Sequence, residues 1–212
     1  MKRPQLLLIA ATVAAVSVLA AAALWDRSRA GSGREVAVGV YQNAPKVFVN
    51  ANGQPDGLFI ELLEAMAKAE GWRLRYVVCD WADCLEQLAR GGLDLMPDVA
   101  FSIERSRRFD FHTVSVASSW SQVYSNPNMR AASLADLAGK RIAVLQGGIQ
   151  QSFFAQMMEN SGYKYSPVPV ATLERGYDAV AAGAAAAIVT NSFFAAHNGG
   201  RYRLHETPLI FL

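Results

Sequence analysis

Apolar positions beyond residue 33 switch between the two-residue spacing of strands and the wider spacing of helices. Val36, Val38 and Val40 recur at every second position and predict a strand over Glu35–Val40. The next element is a helix that ends at Gly71 and has Phe59, Leu62, Leu63 and Met66 on one face, and a strand over Arg73–Val78 follows it. Asp80 then caps a second helix, which has Trp81, Leu85 and Leu88 facing inward and ends at Gly91-Gly92. A third strand covers Leu93–Met96. This β-α-β-α-β order predicts a mostly parallel sheet covered by helices.

The second half of the chain repeats this plan. Ser133 and Asp136 have the spacing of a capping box and predict the start of a short helix. The elements that follow are a strand Arg141–Leu145, a helix Ser152–Asn160 buried through Phe153, Phe154 and Met157, a strand Tyr165–Val170, a helix capped by Thr172 with Tyr177 and Val180 on it, a strand Ala187–Val189, and a helix that begins over Ser192–His197. Two α/β units of similar size predict two lobes.

The polar stretch Ser125–Ala132, which contains Pro127, is the predicted crossing point between the lobes. We therefore divide the chain into a targeting segment with linker (1–33), a first lobe (34–124), and a second lobe with the start of a return crossing (125–212). In open α/β sheets, ligands sit beyond the carboxyl ends of the strands, so two facing lobes predict a binding cleft.

The first 33 residues differ in character from the rest. Lys2 and Arg3 precede an apolar run from Leu6 to Trp25, which is followed by a polar Gly/Ser-containing linker. The run is close to the ~20 residues that span a bilayer, which favours an anchor in the inner membrane. Ala21–Ala23 could instead serve a signal peptidase, so release into the periplasm is the alternative. Both interpretations export the remainder of the chain.

Export places Cys79 and Cys84 in an oxidising compartment, where we expect a disulfide between a strand end and a helix start. Two buried free thiols are the alternative. A zinc site is disfavoured because no paired His or further Cys lies nearby in sequence. The three histidines have no metal-ligand spacing, and we expect no metal and no cofactor.

Composition removes one class of partner. The 212 residues are 52% hydrophobic and 18% charged, so the chain has enough apolar material for packed lobes. The formal net charge is +2, and no long Lys/Arg cluster concentrates it. A nucleic-acid partner is therefore not expected.

Three segments carry a family resemblance. Residues 81–111 read W-A-D-C-L-E-Q-L-A-R-G-G-L-D-L-M-P-D-V-A-F-S-I-E-R-S-R-R-F-D-F, Gly53 begins G-x-x-x-G-L-F-I-E-L-L, and Gly139 begins G-K-R-I-A-V-L-Q-G. In order and spacing these resemble bacterial solute-binding proteins of family 3, over about residues 35–205. The resemblance implies a two-lobed periplasmic-binding-protein type II fold of the α/β class and a small-molecule ligand. The variant L-D-L-M-P-D-V-A looks most like sensor domains of histidine kinases or cyclic-di-GMP enzymes.

The resemblance makes Arg105 the counterpart of the arginine that binds the ligand's carboxylate, and a guanidinium fork suits that task. The alternative is a surface arginine beside Arg107 and Arg108. Asp98 lies at the end of the same predicted strand, where it could accept a ligand amine or pair with Arg105. Gly147 and Gly148 open a predicted helix, so their N–H groups could point at an anion.

Further candidates have weaker support. Tyr41, Trp81 and Trp120 could stack on a ligand or belong to the core, and Gln146 and Ser102 are possible hydrogen-bond donors. The family's acidic partner for an α-ammonium aligns with Asn191, and Asn43 stands near the position of its stacking aromatic residue. These departures make a standard α-amino acid a doubtful ligand and favour a carboxylate or a less basic small molecule.

We therefore expect a ligand-sensing, non-enzymatic domain that closes on its ligand. An output domain in the cytoplasm, absent from this chain, would read that closure. A substrate receptor working with an importer permease is the first alternative, and a dehydratase-like enzyme is the second. The chain stops in T-P-L-I-F-L, where the return strand of the family begins, and we interpret it as a truncated product or the product of an incomplete gene.

Overall fold

A computed structural model describes residues 33–211, and the fold is built from small sheets flanked by helices. The elements in chain order are β1 (Glu35–Val40), β2 (Phe48–Val49), β3 (Pro55–Asp56), α1 (Leu58–Glu70), β4 (Arg73–Val78), α2 (Trp81–Ala89), α3 (Ile103–Ser106), β5 (Ser121–Ser125), a 3-10 helix (Leu134–Leu137), β6 (Arg141–Leu145), α4 (Ile149–Asn160), β7 (Ser166–Val170), α5 (Leu173–Ala181), β8 (Ala187–Asn191), α6 (Ser192–Tyr202) and β9 (His205–Phe211). This mixed α/β architecture agrees with the predicted class.

The first unit is organised by the parallel pair β1 and β4, in which Glu35 lies opposite Arg73 and Val40 opposite Val78. Its core consists of residues from β1, α1 and α2, with Trp81 and Cys84 among those buried. β2 and β3 form a separate antiparallel hairpin. The carboxyl end of β1 therefore leads directly into Tyr41 and the loop after it.

The second unit contains a five-stranded sheet in the order β7-β6-β8-β5-β9. β6 runs parallel to β7 and β8, whereas β5 is antiparallel to both of its neighbours. Helices cover both faces, because Phe154 of α4 and Tyr177 of α5 belong to different buried clusters. The carboxyl ends of β6 and β8 face the first unit and carry Leu145 and Asn191.

Most predicted boundaries are confirmed, but Leu93–Met96 is not a full strand. Only Leu95 forms a bridge, with Val38, and the chain turns away at Pro97. The predicted inward face of α1 is also wrong in part. Ile60, Leu63 and Ala67 are its buried residues, whereas Leu62 and Met66 are exposed.

Three predicted caps and one helix face can be compared with the structure. Asp80 is the N-cap residue of α2, but its side chain accepts no capping hydrogen bond, so that part of the prediction is wrong. The capping box at Ser133 and Asp136 is present, and Thr172 Oγ1 accepts a hydrogen bond from Arg175 N. On α4, Phe154 is buried as predicted but Phe153 is exposed. Phe153 instead faces the cleft between the two units.

The position of β5 bears on the predicted division of the chain. Ser121–Ser125 precedes most of the predicted crossing stretch, yet it already pairs with β8 and β9. The division after residue 124 stays a prediction, and this pairing favours a boundary before Ser121.

The predicted membrane anchor, Leu6–Trp25, lies outside the described residues. Between residues 33 and 211, no helix has both the length and the apolar character needed to cross a bilayer.

Candidate functional site

A cleft of about 830 Å³ lies between the two units and is lined by residues of both. It lies at the carboxyl ends of β1, β6 and β8, as expected for α/β sheets. Six of the predicted site residues line it: Tyr41, Trp81, Asp98, Arg105, Trp120 and Asn191. Residues that are distant in sequence therefore meet at one concave surface.

Arg105 is held at the mouth of this cleft by the short helix α3. Ser102 Oγ caps the helix by accepting a hydrogen bond from Arg105 N at 3.1 Å. The guanidinium spans the cleft: Nη1 donates to Ala100 O at 3.0 Å and Nη2 to Gly147 O at 3.1 Å. It also lies 5.3 Å from the centre of the Trp81 ring. These contacts fix the plane of the fork without using all five of its N–H donors.

The charge of Arg105 has no acidic partner among residues 33–211, since none of the ion pairs there includes it. Burial lowers the pKa of its guanidinium, and the nearby Tyr41 and Glu104, the latter not in ion-pair contact, partly oppose that effect. A partly desolvated cation without a carboxylate partner is suited to receive an anionic group.

Asp98 pairs with Lys46 and not with Arg105. Lys46 Nζ donates to Asp98 Oδ1 at 2.9 Å and lies 2.8 Å from Oδ2, and the two side chains are only 7% and 12% exposed. Asp98 has the left-handed backbone conformation, with φ at 57°, which is more accessible to Asp than to most residues. The predicted pair between Asp98 and Arg105 is therefore absent from this conformation.

Asn43 and Asn191 connect the units on the opposite side of the cleft. Asn191 Nδ2 donates to Asn43 Oδ1 at 3.1 Å, and Asn43 Nδ2 donates to Asp98 Oδ2 at 2.8 Å. Asn191 Oδ1 also caps α6 by accepting from Phe194 N at 3.0 Å. The predicted site residue Asn191 thus serves a helix start and a contact between the units at once.

The three aromatic candidates differ in environment. Tyr41 and Trp81 belong to the core of the first unit and pack edge to face with ring centres 4.7 Å apart. Trp81 Nε1 also donates to Gly147 O, at 3.1 Å. Trp120 is 46% exposed and lines the cleft. Of the three, Trp120 has the most ring surface free for a ligand.

Four other candidates do not line the cleft: Ser102, Gln146, Gly147 and Gly148. Ser102 is occupied as the cap of α3, and the side chain of Gln146 is exposed. Gly147 N donates to Gln151 Oε1 and Gly148 N to Leu145 O, so these N–H groups are not directed at an anion here. What Gly147 supplies is its carbonyl oxygen, the shared acceptor of Arg105 and Trp81.

The predicted disulfide between Cys79 and Cys84 is present. It joins the residue after β4 to α2, the helix that begins with Trp81. The short loop that the bridge closes therefore contains Trp81, the residue on which Arg105 stacks.

Sequence reasoning missed Lys46. It lies in the loop after β1, a region where cleft residues are expected, but a single lysine in a loop is ordinarily a solvated side chain. Its partner is 52 residues away, so no local spacing reveals the pair. The available signal was the position of the loop at the carboxyl end of a strand.

Residues 36–161, more than half of the chain, match the model of the bacterial extracellular solute-binding proteins, family 3. The chain belongs to this family. Membership of this extracellular solute-binding family supports a periplasmic location for the chain. A comparison with the curated proteins finds no match.

Solved structures share the fold at low sequence identity. An ancestral amino acid-binding protein, described as a precursor of cyclohexadienyl dehydratase, has a TM-score of 0.72 and 22% identity over 84% of this chain and 78% of its own. Truncated, arginine-bound ArgBP from T. maritima has a TM-score of 0.72 and 20% identity over 87% and 86%. A histidine kinase sensor domain similar to periplasmic binding proteins has a TM-score of 0.69 and 22% identity over 84% and 80%.

Proposed function

We propose that this chain is a periplasmic sensor domain that captures a small carboxylate between its two units, with Arg105 as the carboxylate-binding residue. The observation that carries the proposal is the guanidinium at the cleft, bonded to carbonyl oxygens of both units and without an acidic partner among the described residues. A ligand carboxylate would accept two parallel charge-assisted bonds from such a fork.

The contacts between the two units also explain how the cleft would close on its ligand. Arg105 and Trp81 of the first unit both donate to Gly147 O of the second, and Asn43 bonds to Asn191. A ligand that touches both units adds contacts only in the closed state and so shifts the population toward it. The exposed segment Thr113–Trp120, which enters β5, is the proposed hinge region.

The screen that tests this function is a thermal-shift assay of carboxylates and amino acids on the full chain, purified in a mild detergent. A ligand that binds only the folded state raises the melting temperature. Arg105→Ala should lose the shifts, whereas Arg107→Ala, an exposed arginine two residues away, should keep them. Full-size shifts in Arg105→Ala would remove that residue from the site.

The same binding domain could serve either a signalling protein or an importer. The apolar run Leu6–Trp25 favours a retained anchor and therefore a sensor that acts through the membrane on a cytoplasmic output domain. Fractionation of cells that produce the chain tests this choice. Mature protein that begins at Met1 and stays in the membrane supports the sensor, and a soluble, N-terminally cleaved form supports a receptor that serves an importer permease.

We propose no catalytic role. The dehydratase-like alternative has its own test, which is product formation when the chain is incubated with prephenate-like acids. Turnover of any of these acids would contradict a purely binding function and would show that the chain is an enzyme.

A further inference from the structure

Lys46 forms an ion pair with Asp98, the acidic residue that lines the described part of the cleft. Both residues line the cavity, and Lys46 contacts both carboxylate oxygens of Asp98. The Lys46 ammonium also lies 5.4 Å from the centre of the Phe193 ring in the second unit. This lysine is therefore enclosed from both sides of the cleft.

The carboxylate of Asp98 has little remaining capacity. Oδ2 accepts from Asn43 Nδ2 at 2.8 Å and from the Tyr41 hydroxyl at 3.1 Å, in addition to its contact with Lys46. A carboxylate offers about four acceptor positions in all. An ammonium group from a ligand would have to displace Lys46 or one of these donors.

The backbone around Lys46 fixes the position of the ammonium. The carbonyl oxygens of Pro45 and Lys46 accept hydrogen bonds from Leu58 N and Phe59 N at the start of α1. Gly57 allows this close approach, because a Cβ there would lie 2.6 Å from Lys46 O, and its φ is 114°. The lysine is thus presented to Asp98 by an anchored loop.

Counting charges then defines the ligand. Among the Lys, Arg, Asp and Glu residues between positions 33 and 211, those that line the cleft are Lys46, Asp98 and Arg105. The first two compensate each other, which leaves Arg105 to attract a single negative group. An α-amino acid would bring an ammonium that finds no unpaired carboxylate, and an unpaired charge in a partly buried site is unfavourable.

The rest of the cleft is suited to an apolar group. Phe59, Phe111, Trp120, Leu145 and Phe153 are among its lining residues. Apolar walls with a few polar groups are typical of sites that hold a hydrophobic ligand body and fix its charged end.

We propose that Lys46 is a specificity-determining residue that, by occupying Asp98, makes the cleft select apolar monocarboxylates without an ammonium group over the matching amino acids. This inference rests on the proposed function, in which Arg105 binds the carboxylate.

The test compares ligands that differ only by the α-ammonium, namely 3-phenylpropanoate with L-phenylalanine and 4-methylpentanoate with L-leucine. Each is titrated into the full chain by calorimetry. The wild type should bind the deaminated member of at least one pair at least about tenfold more tightly than its partner, and Lys46→Met should shift that ratio toward the amino acid by about tenfold or more. Lys68→Met, an exposed lysine on α1, is the matched control and should leave the ratio unchanged.

Because Lys46→Met leaves Asp98 unpaired and could unfold the chain, Lys46→Met/Asp98→Asn is the second variant. It removes both charges and should bind the deaminated acid without gaining the amino acid. Equal binding of the two members by the wild type, or a folded Lys46→Met with an unchanged ratio, would overturn the inference. If no probe binds the wild type, binding of an amino acid by Lys46→Met supports the inference, and failure of the folded Lys46→Met variant to bind any of the amino acids overturns it.

These outcomes separate the inference from the proposed function. Amino acids that bind the wild type as well as the acids do, with both lost in Arg105→Ala, would reject the role of Lys46 and keep Arg105 as the carboxylate site. Discrimination between pair members that persists in Arg105→Ala would support Lys46 and reject Arg105.

Discussion

Lys46 Nζ lies within 2.9 Å of both carboxylate oxygens of Asp98, in a pair that is almost completely removed from water. The two residues come from loops 52 positions apart, and Asn43 and Tyr41 complete the surroundings of the carboxylate. The contact joins the loop after β1 to the loop after Leu95. One polar cluster therefore both organises the first unit and forms a wall of the cleft.

Breaking this pair from one side should destabilise the fold strongly. Lys46→Met leaves a buried carboxylate without its cation, and we expect a loss of about 3–5 kcal/mol in the free energy of unfolding. Lys46→Met/Asp98→Asn should recover most of that loss, because no unpaired charge remains. Urea denaturation of the two variants measures the difference. Equal losses in both variants would show that the charge of Asp98 is not what makes the single variant unstable.

Asn191 has two functions that substitution can separate. Asn191→Asp keeps an oxygen to cap α6 but places a carboxylate against Asn43 Oδ1, whereas Asn191→Ala removes both interactions. We expect Asn191→Ala to lose about 1–2 kcal/mol of stability, mainly through the cap. Asn191→Asp should keep most of the cap energy and open the cleft.

Small-angle scattering of the ligand-free protein reports that opening as a larger radius of gyration. Asn191→Ser, which keeps a capping oxygen without adding charge, is the control. A closed Asn191→Asp with an unchanged radius would contradict the role of the contact between Asn43 and Asn191.

Tyr41 predicts how stability depends on pH in the alkaline range. Burial, reinforced by Asp98, raises the pKa of its phenol well above the ordinary value. The unfolded chain therefore loses this proton near pH 10 while the folded protein keeps it. The contribution of this proton to the free energy of unfolding is fully present below pH 10. It declines as the pH rises above 10, by up to about 1.4 kcal/mol per pH unit.

Replacing Tyr41 by Phe should flatten this decline by about one proton's contribution, as measured by urea denaturation at several alkaline pH values. Tyr163→Phe, at an exposed position, is the control. The same slope in Tyr41→Phe and in the wild type would contradict the environment described for Tyr41.

The disulfide Cys79–Cys84 closes a short loop that contains Trp81. Chain entropy for a loop of this size corresponds to about 2 kcal/mol of stability. A reducing agent should therefore lower the melting temperature of the wild type by several degrees and leave Cys79→Ser/Cys84→Ser unaffected. An unchanged melting temperature in the fully reduced wild type would show that the bridge adds no stability.

Local patterns predicted the regular elements well, because strand and helix spacing depends on neighbouring residues. β1 and β4 have the predicted bounds, and the cap at Thr172 is formed. Leu93–Met96 reads as a strand for the same local reason. Whether a segment becomes a strand also depends on pairing with a distant segment, and here that pairing is limited to the bridge between Leu95 and Val38.

The candidate site was predicted as a set of residues but not as a set of contacts. Strand-end positions and the family resemblance placed Arg105, Asp98 and Asn191 at the cleft, where all three are found. The partner of Asp98 could not be predicted, because an ion pair between distant loops leaves no periodic signal. The helix start predicts a role for the N–H group of Gly147, whereas its carbonyl oxygen makes the contacts across the cleft.

The most direct test of the central claim titrates a carboxylate ligand from the screen, and its methyl ester, into the wild type and into Arg105→Ala. The ester keeps the shape of the acid but loses the charge that a guanidinium fork binds. Calorimetry should show the acid binding the wild type at least about tenfold more tightly than the ester, with this advantage lost in Arg105→Ala. An acid that keeps its full advantage without the Arg105 guanidinium would contradict the account.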